Sequence, residues 1–457
     1  MELDGFASGS GGAASSAATV PPPSYEEAVP LRSLENTAES SSDRSYVLMF
    51  RDFFPACLQR GGFLKEIIYE RFNVVMDRAN EWLRINPSVE VKSCESLEKK
   101  ADQNSQVDPN ESTRYESGKA PQYMVRGLRL WFCPRRSPGG PDQLGYINCV
   151  PACLRKGGWL HYPEFETMGV TLANLNRFLR ERPIPGHIVT VETQDIKVYG
   201  NWSAKGVDPD QSCWYESGKA HKLFLFIVRI FYVIGQPHYE QIDMADFVPE
   251  VLGKGGMFSE PTAEPFSAVV AKAHNWIQGH NVRVSNVQTV DVKIRRESFS
   301  GPLVIDAQKS SYTEYGKANT YFIRILRVIL LQSGVSIPPT PPLTLTYRTF
   351  VPCQLTTGGA LIMAQYEDQK QTMFRIMAWL RTTGAVVFGA ETFEIKLWYY
   401  DRFAANIERT IYYESGKAAD YFVTAIRVYI NGSYREPSAE LLPSVPEIRN
   451  DDCCLIL

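Results

Sequence analysis

Between residues 266 and 277 the apolar side chains Phe266, Val269, Val270, Ala273, Trp276 and Ile277 recur at steps of three and four, the spacing that gathers them on one helix face. The run that follows, 282–294, alternates apolar with polar residues and is rich in β-branched side chains, which predicts a half-buried strand. A polar loop then leads to a second apolar run, 321–331, and a last strand. The resulting order is opening segment, helix, strand, loop, strand.

That order occurs four times. An opening proline stands at Pro55, Pro151, Pro249 and Pro352, with a leucine three residues on at Leu58, Leu154, Leu252 and Leu355. A Gly-Gly pair begins at Gly61, Gly157, Gly255 and Gly358, and an aromatic closes the helical stripe at Trp82, Phe178, Trp276 and Trp379. Later in each copy comes Glu-x-Gly-Lys-Ala, starting at Glu116, Glu216, Glu314 and Glu414, at intervals of 100, 98 and 100 residues. These anchors predict an α+β chain of four tandem repeats of about 98 residues, each with one main helix packed on a small β-sheet, flanked by disordered termini. The expected boundaries are a head at 1–44, repeats at 45–134, 143–235, 240–333 and 343–432, and a tether at 433–457.

Composition narrows the chemistry. Apolar residues make up 44% and charged residues 22% of the chain, so most of it should fold. A net charge of -3 offers no basic face for nucleic acid. The nine cysteines are odd in number and keep no fixed place in the repeats, which argues against a secreted disulfide framework and for a reducing, cytoplasmic setting. No signal peptide, N-myristoylation signal or membrane-spanning run is expected, so membrane contact would need an anchor. The six histidines do not repeat, Cys149-x-x-x-Cys153 lacks a second ligand pair, and no nucleophile recurs with a base. No metal, cofactor or catalytic residue is expected, and the chain reads as a non-enzyme.

Glu-x-Gly-Lys-Ala lacks the earlier glycine and the following Ser or Thr of a phosphate-binding P-loop. A turn into the last strand is the simpler reading. The sharper one is an anion site formed by each lysine and the arginine ten positions on: Lys119 with Arg129, Lys219 with Arg229, Lys317 with Arg327, and Lys417 with Arg427. An arginine amid apolar strand residues needs water or a carboxylate, and Glu95, Glu192 and Glu391, with Gln288 in the third copy, are candidate partners.

The two ends carry the most specific signals. Pro22-Pro23-Ser24-Tyr25 resembles the Pro-Pro-x-Tyr ligand of WW domains, which implies docking to a WW-domain protein, including ubiquitin ligases of the Nedd4 type. Prolines hold such a segment in an extended left-handed helix before it binds, so little entropy is lost on docking, and Tyr25 would fill the adjoining pocket. Cys454-Leu-Ile-Leu resembles a CaaX box whose final Leu457 favours geranylgeranylation of Cys454, and Cys453 is a candidate palmitoylation site. The expectation is a cytoplasmic adaptor held on the cytoplasmic face of a membrane by its lipidated tail, with an unidentified partner on the repeats. The alternative is a sensor that binds an anionic small molecule through the Lys and Arg pockets.

Overall fold

The computed structural model describes residues 6–8, 47–61, 67–102, 104–116, 122–136, 139–158, 161–198, 207–216, 221–255, 260–280, 282–296, 301–315, 319–334, 341–358, 363–415 and 419–450. Each quarter of the chain contributes four principal strands. They are β1 (Met49–Phe53), β2 (Val89–Lys100), β3 (Thr113–Glu116) and β4 (Gln122–Pro134); then β5 (Leu144–Cys149), β6 (Gly186–Lys197), β7 (Cys213–Glu216) and β8 (His221–Ile234). The second half supplies β9 (Gln241–Phe247), β10 (Val284–Lys293), β11 (Ser311–Tyr315) and β12 (Thr320–Gln332); then β13 (Leu345–Phe350), β14 (Val387–Leu397), β15 (Ile411–Glu414) and β16 (Asp420–Asn431). Helices α1 (Phe72–Ile85), α2 (Met168–Glu181), α3 (Phe266–His280) and α4 (Gln369–Thr383) each follow the first strand of a quarter.

The long last strand is the centre of every sheet. Along one edge β4 pairs with β2, and along the other with β1, all antiparallel. The start of that second edge, Gln122–Val125, is filled by β7 from the next quarter. In the same way β11 pairs with β8 and β15 with β12, and β3 of the first quarter pairs with β16 of the last. The donation closes on itself, so the four sheets form a ring. A short strand, Phe6–Ser8, adds to β5.

This topology overturns the expected fold class. The protein is mostly β, with 45% of its described residues in strands and 18% helical, its four helices short, in many small sheets rather than α+β helix-on-sheet units. The physical reason lies in where each helix buries its stripe. Phe72, Val75, Met76, Ala79 and Leu83 of α1 share a core with Leu128 and Leu130 of β4 but also with Leu144 and Tyr146 of β5 and Phe231 of β8. A helix therefore plugs the seam between neighbouring sheets. Likewise α3 packs against Leu345 and Tyr429, and α4 against Leu48 and Trp131 of the first quarter. Even the helix N-termini are closed from the next quarter: the amides of Phe72, Met168, Phe266 and Gln369 donate to the carbonyls of Asp210, Gln308, Glu408 and Asn110.

The inner strands β2, β6, β10 and β14 pack side by side around the centre of the ring. Each carries a bulge at the same place, between Val91 and Ser93, Ile188 and Thr190, Val284 and Asn286, and Val387 and Gly389. Among the described residues the cysteines are free thiols, and no helix is long and apolar enough to cross a membrane.

Candidate functional site

The inner strands enclose a cavity of about 340 Å³. Its wall holds ten carboxylate residues, Glu95, Glu98, Glu116, Glu192, Asp195, Asp291, Glu314, Glu391, Glu394 and Glu414, against the cations Lys92 and Arg114. Two tiers of these groups bind the ring together.

In the first tier, a carboxylate or amide on one inner strand accepts hydrogen bonds from the next. Glu95 accepts from the Thr392 amide at 2.8 Å and its hydroxyl at 2.5 Å, and Glu192 does the same with Ser96. Gln288 accepts from the Thr193 amide at 2.8 Å, and Glu391 from the Thr289 amide at 2.7 Å. The arginines of the long strands complete these latches. Arg129 grips Asp52 through two 2.7 Å bonds and reaches the Thr392 hydroxyl at 2.8 Å. Arg327 does the same with Asp246 and Thr193. Arg229 bonds Asn148 and the Ser96 hydroxyl and stands 3.8 Å from Glu192, and burial brings it down to about 10. Arg427 pairs with Glu391 at 2.8 Å.

Of the anion-site residues expected from sequence, then, Arg129, Arg229, Arg327 and Arg427 are all fully buried and engaged within the protein. Lys119, Lys219, Lys317 and Lys417 lie outside the described residues, three positions beyond Glu116, Glu216, Glu314 and Glu414. Pro22, Pro23, Tyr25, Cys453 and Cys454 also lie outside them.

The second tier went unread in the sequence, although Glu98, Asp195, Asp291 and Glu394 sit three residues after Glu95, Glu192, Gln288 and Glu391. Arg126 pairs with Glu98 and donates to the Asp195 carbonyl, and Arg324 pairs with Asp291 and donates to the Glu394 carbonyl. Tyr312 donates to Asp195 at 2.7 Å, Tyr412 to Asp291 at 3.1 Å, and Arg114 to Glu394 at 2.9 Å. Lys100, Lys197, Lys293 and Lys396, another fixed offset, donate to the carbonyls of Tyr115, Tyr215, Thr313 and Tyr413.

Comparison with family models, with curated protein sequences and with solved structures returned no match. The reading of this site therefore rests on its own chemistry.

That chemistry favours protons and cations over anions. Burial pushes Glu95 up to about 7, and burial followed by repulsion from Glu314 pushes Glu414 up to about 8. A carboxylate raised in the folded state binds its proton more tightly there than in the unfolded chain. Its contribution is fully present below the ordinary value near 4.5 and is lost as pH rises through about 8. Stability is therefore expected to fall between pH 5 and pH 8.5, by on the order of 4 kcal/mol from this group. Glu414→Gln should flatten that slope and raise the melting temperature at pH 8.5. Equal pH slopes for the two proteins would remove Glu414 from this role. Among the described residues no cluster of His, Cys, Asp and Glu has the geometry to hold a metal ion.

Proposed function

We propose that the protein is a ring-shaped adaptor, held on the cytoplasmic face of a membrane by a prenyl group on Cys454 and presenting the Pro22-Pro23-Ser24-Tyr25 ligand to a WW-domain protein such as a Nedd4-type ubiquitin ligase. The observation that carries this reading is where the two ends of the folded region meet. Leu48, just after the head, is buried in the same core as Trp379 and Leu380 of α4, and Tyr434 and Leu442 of the tail pack against that core. Head and tail thus both pack along the seam between the first and fourth quarters, the head entering beside the ends of the long strands and the tail running on from there to the fourth hairpin. The tail is also tied down late: Arg449 donates to the Leu355 carbonyl and accepts from the Thr357 amide. Cys454 lies five residues further on, within about 18 Å at full extension.

A prenyl chain alone gives reversible membrane binding, so a second signal is required, and acylation of Cys453 is one source. The sensor reading gains no support from the described cavity, where the only lining cations among the described residues are Lys92 and Arg114, and Arg114 is already taken up by Glu394. Cys454→Ser is expected to move the full-length protein from the membrane pellet to the supernatant when cells are fractionated. Unchanged pelleting would count against the anchor.

A further inference from the structure

In every quarter the first strand runs toward the start of the long strand, Phe53 lying opposite Leu128 and Cys149 opposite Val228. The starts of the four long strands lie together at one end of the ring, because each donated strand pairs with one start and leads within a few residues into the next. Directly after the first strands come the buried prolines Pro55, Pro151, Pro249 and Pro352, and after them four small hairpins. Cys57–Gln59 pairs with Ile68–Tyr69, Cys153–Arg155 with Glu164–Phe165, and Val251–Gly253 with Thr262–Ala263, while Gln354 bridges Tyr366 in the fourth. Their bases pack at the strand starts, as Cys57 does with Val125 and Cys213. All four hairpins therefore project from the same end.

What they present is unusual for a folded surface. Leu58, Leu154 and Leu252 occupy the same position in three hairpins and are 65%, 68% and 67% exposed. Scattered surface leucines need no explanation, but one placed identically in each copy does. Basic residues follow closely: the exposed Arg60 and Lys156 beside the Gly-Gly pairs. One acidic residue in each hairpin is tied to its base, while Glu250 and Glu260 of the third stay exposed. Glu70, Glu166, Glu264 and Glu367 accept from the backbone amides of Ala56, Ala152, Glu250 and Cys353, and Glu164 pairs with Arg155. In the fourth hairpin Leu355 is half-buried, and its carbonyl receives the tail at Arg449. The tail that bears the lipidation motif thus leaves from this same end.

We infer that the hairpin end of the ring is a bilayer-docking face, with Leu58, Leu154 and Leu252 entering the interface and Arg60 and Lys156 meeting anionic head groups. This inference builds on the proposed lipid anchor and identifies the second membrane signal that a single prenyl chain requires. Several weak contacts on one rigid body reinforce each other by raising the effective concentration of the remainder.

The test uses the full chain made in bacteria, where no prenyl group is added, floated with vesicles of 70% phosphatidylcholine and 30% phosphatidylserine. The expected result is flotation that Leu58→Asp/Leu154→Asp/Leu252→Asp reduces at least tenfold, with the melting temperature unchanged because the positions are exposed. Leu154→Trp should show a blue-shifted emission on adding vesicles. No flotation of the unmodified chain, or equal flotation of the triple variant, overturns the inference. An emission shift of the Leu154→Trp variant that follows protein concentration and ignores vesicles also overturns it, by assigning the face to a second copy. Prenylation plays no part in these measurements, so the anchor itself stands or falls separately, on the mass of the native C-terminus and the fractionation of Cys454→Ser.

Discussion

Arg129→Ala is expected to lower the unfolding free energy by about 3–5 kcal/mol. The guanidinium is fully buried and its partner Asp52 is only 7% exposed, so the substitution leaves a buried carboxylate without its hydrogen-bonded counter-ion. It also removes a donor from the Thr392 hydroxyl, and so loosens the latch between β2 and β14 that Glu95 forms. A cation stacked 3.7 Å from the centre of Phe50 goes as well. Replacing both partners, as Asp52→Leu/Arg129→Met, should recover most of the loss, because the large penalty belongs to the orphaned charge and not to the missing attraction. Urea unfolding followed by tryptophan fluorescence measures both variants. A loss under about 1 kcal/mol for Arg129→Ala would show that the latch contributes little.

The second large effect is expected at the closing seam. Trp379 in α4 is 1% exposed, meets Phe350 and Tyr434 edge-on at 5.5 and 4.9 Å, and donates to Glu436 at 3.2 Å. Trp379→Ala should destabilise by about 3–5 kcal/mol, through lost burial and the void left behind. Where the loss appears matters as much as its size. The fourth sheet borrows β3 from the first quarter, and α4 packs against Leu48 and Trp131, so no quarter is complete by itself. Calorimetry should show one transition moving down as a unit. A fourth quarter that melts alone, with the other three unshifted, would sink the closed ring.

Periodicity made the helical segments legible: the stripe from Phe266 to Ile277 lies within α3 and faces a core. The strands from 282–294 and 321–331 were also visible as patterns, and they correspond to β10 and β12. Hidden from local pattern was the partner of each element. Thr113–Glu116 carries a strand's alternation, but nothing in it says that its edge lies on β16 and not on its own β4. That choice is made by long-range pairing, which leaves no periodic mark in the donor. A helix next to two strands in sequence suggests an autonomous layer pair, and the exchanged strands make the chain a ring of small sheets instead.

The site was partly legible. Arginine and glutamate recur, and the need of a buried guanidinium for a carboxylate points inward: Arg427 pairs with the expected Glu391 and Arg229 stands 3.8 Å from Glu192, whereas Arg129 and Arg327 take Asp52 and Asp246 from the first strands instead. A clearer signal lies at the hairpins. Glu70, Glu166, Glu264 and Glu367 stand fifteen residues after the opening prolines in every copy, without a gap. A fixed glutamate just before each helix reads as a capping residue, but it ties off the hairpin by accepting from the amide that follows the proline.

Strand donation also sets an order on the ribosome. Thr113–Glu116 is synthesised about 300 residues before Asp420–Asn431, its pairing partner. At about 5–20 residues per second that interval is roughly 15–60 s, during which β3 is an edge with no neighbour. The other three donors wait far less, since each meets the preceding sheet as soon as it emerges. Ring closure is thus the last event of biogenesis and the one with the longest loop to close. In a crowded polysome the waiting strand of one nascent chain can enter the open fourth sheet of its neighbour, which would yield exchanged dimers of otherwise native contacts.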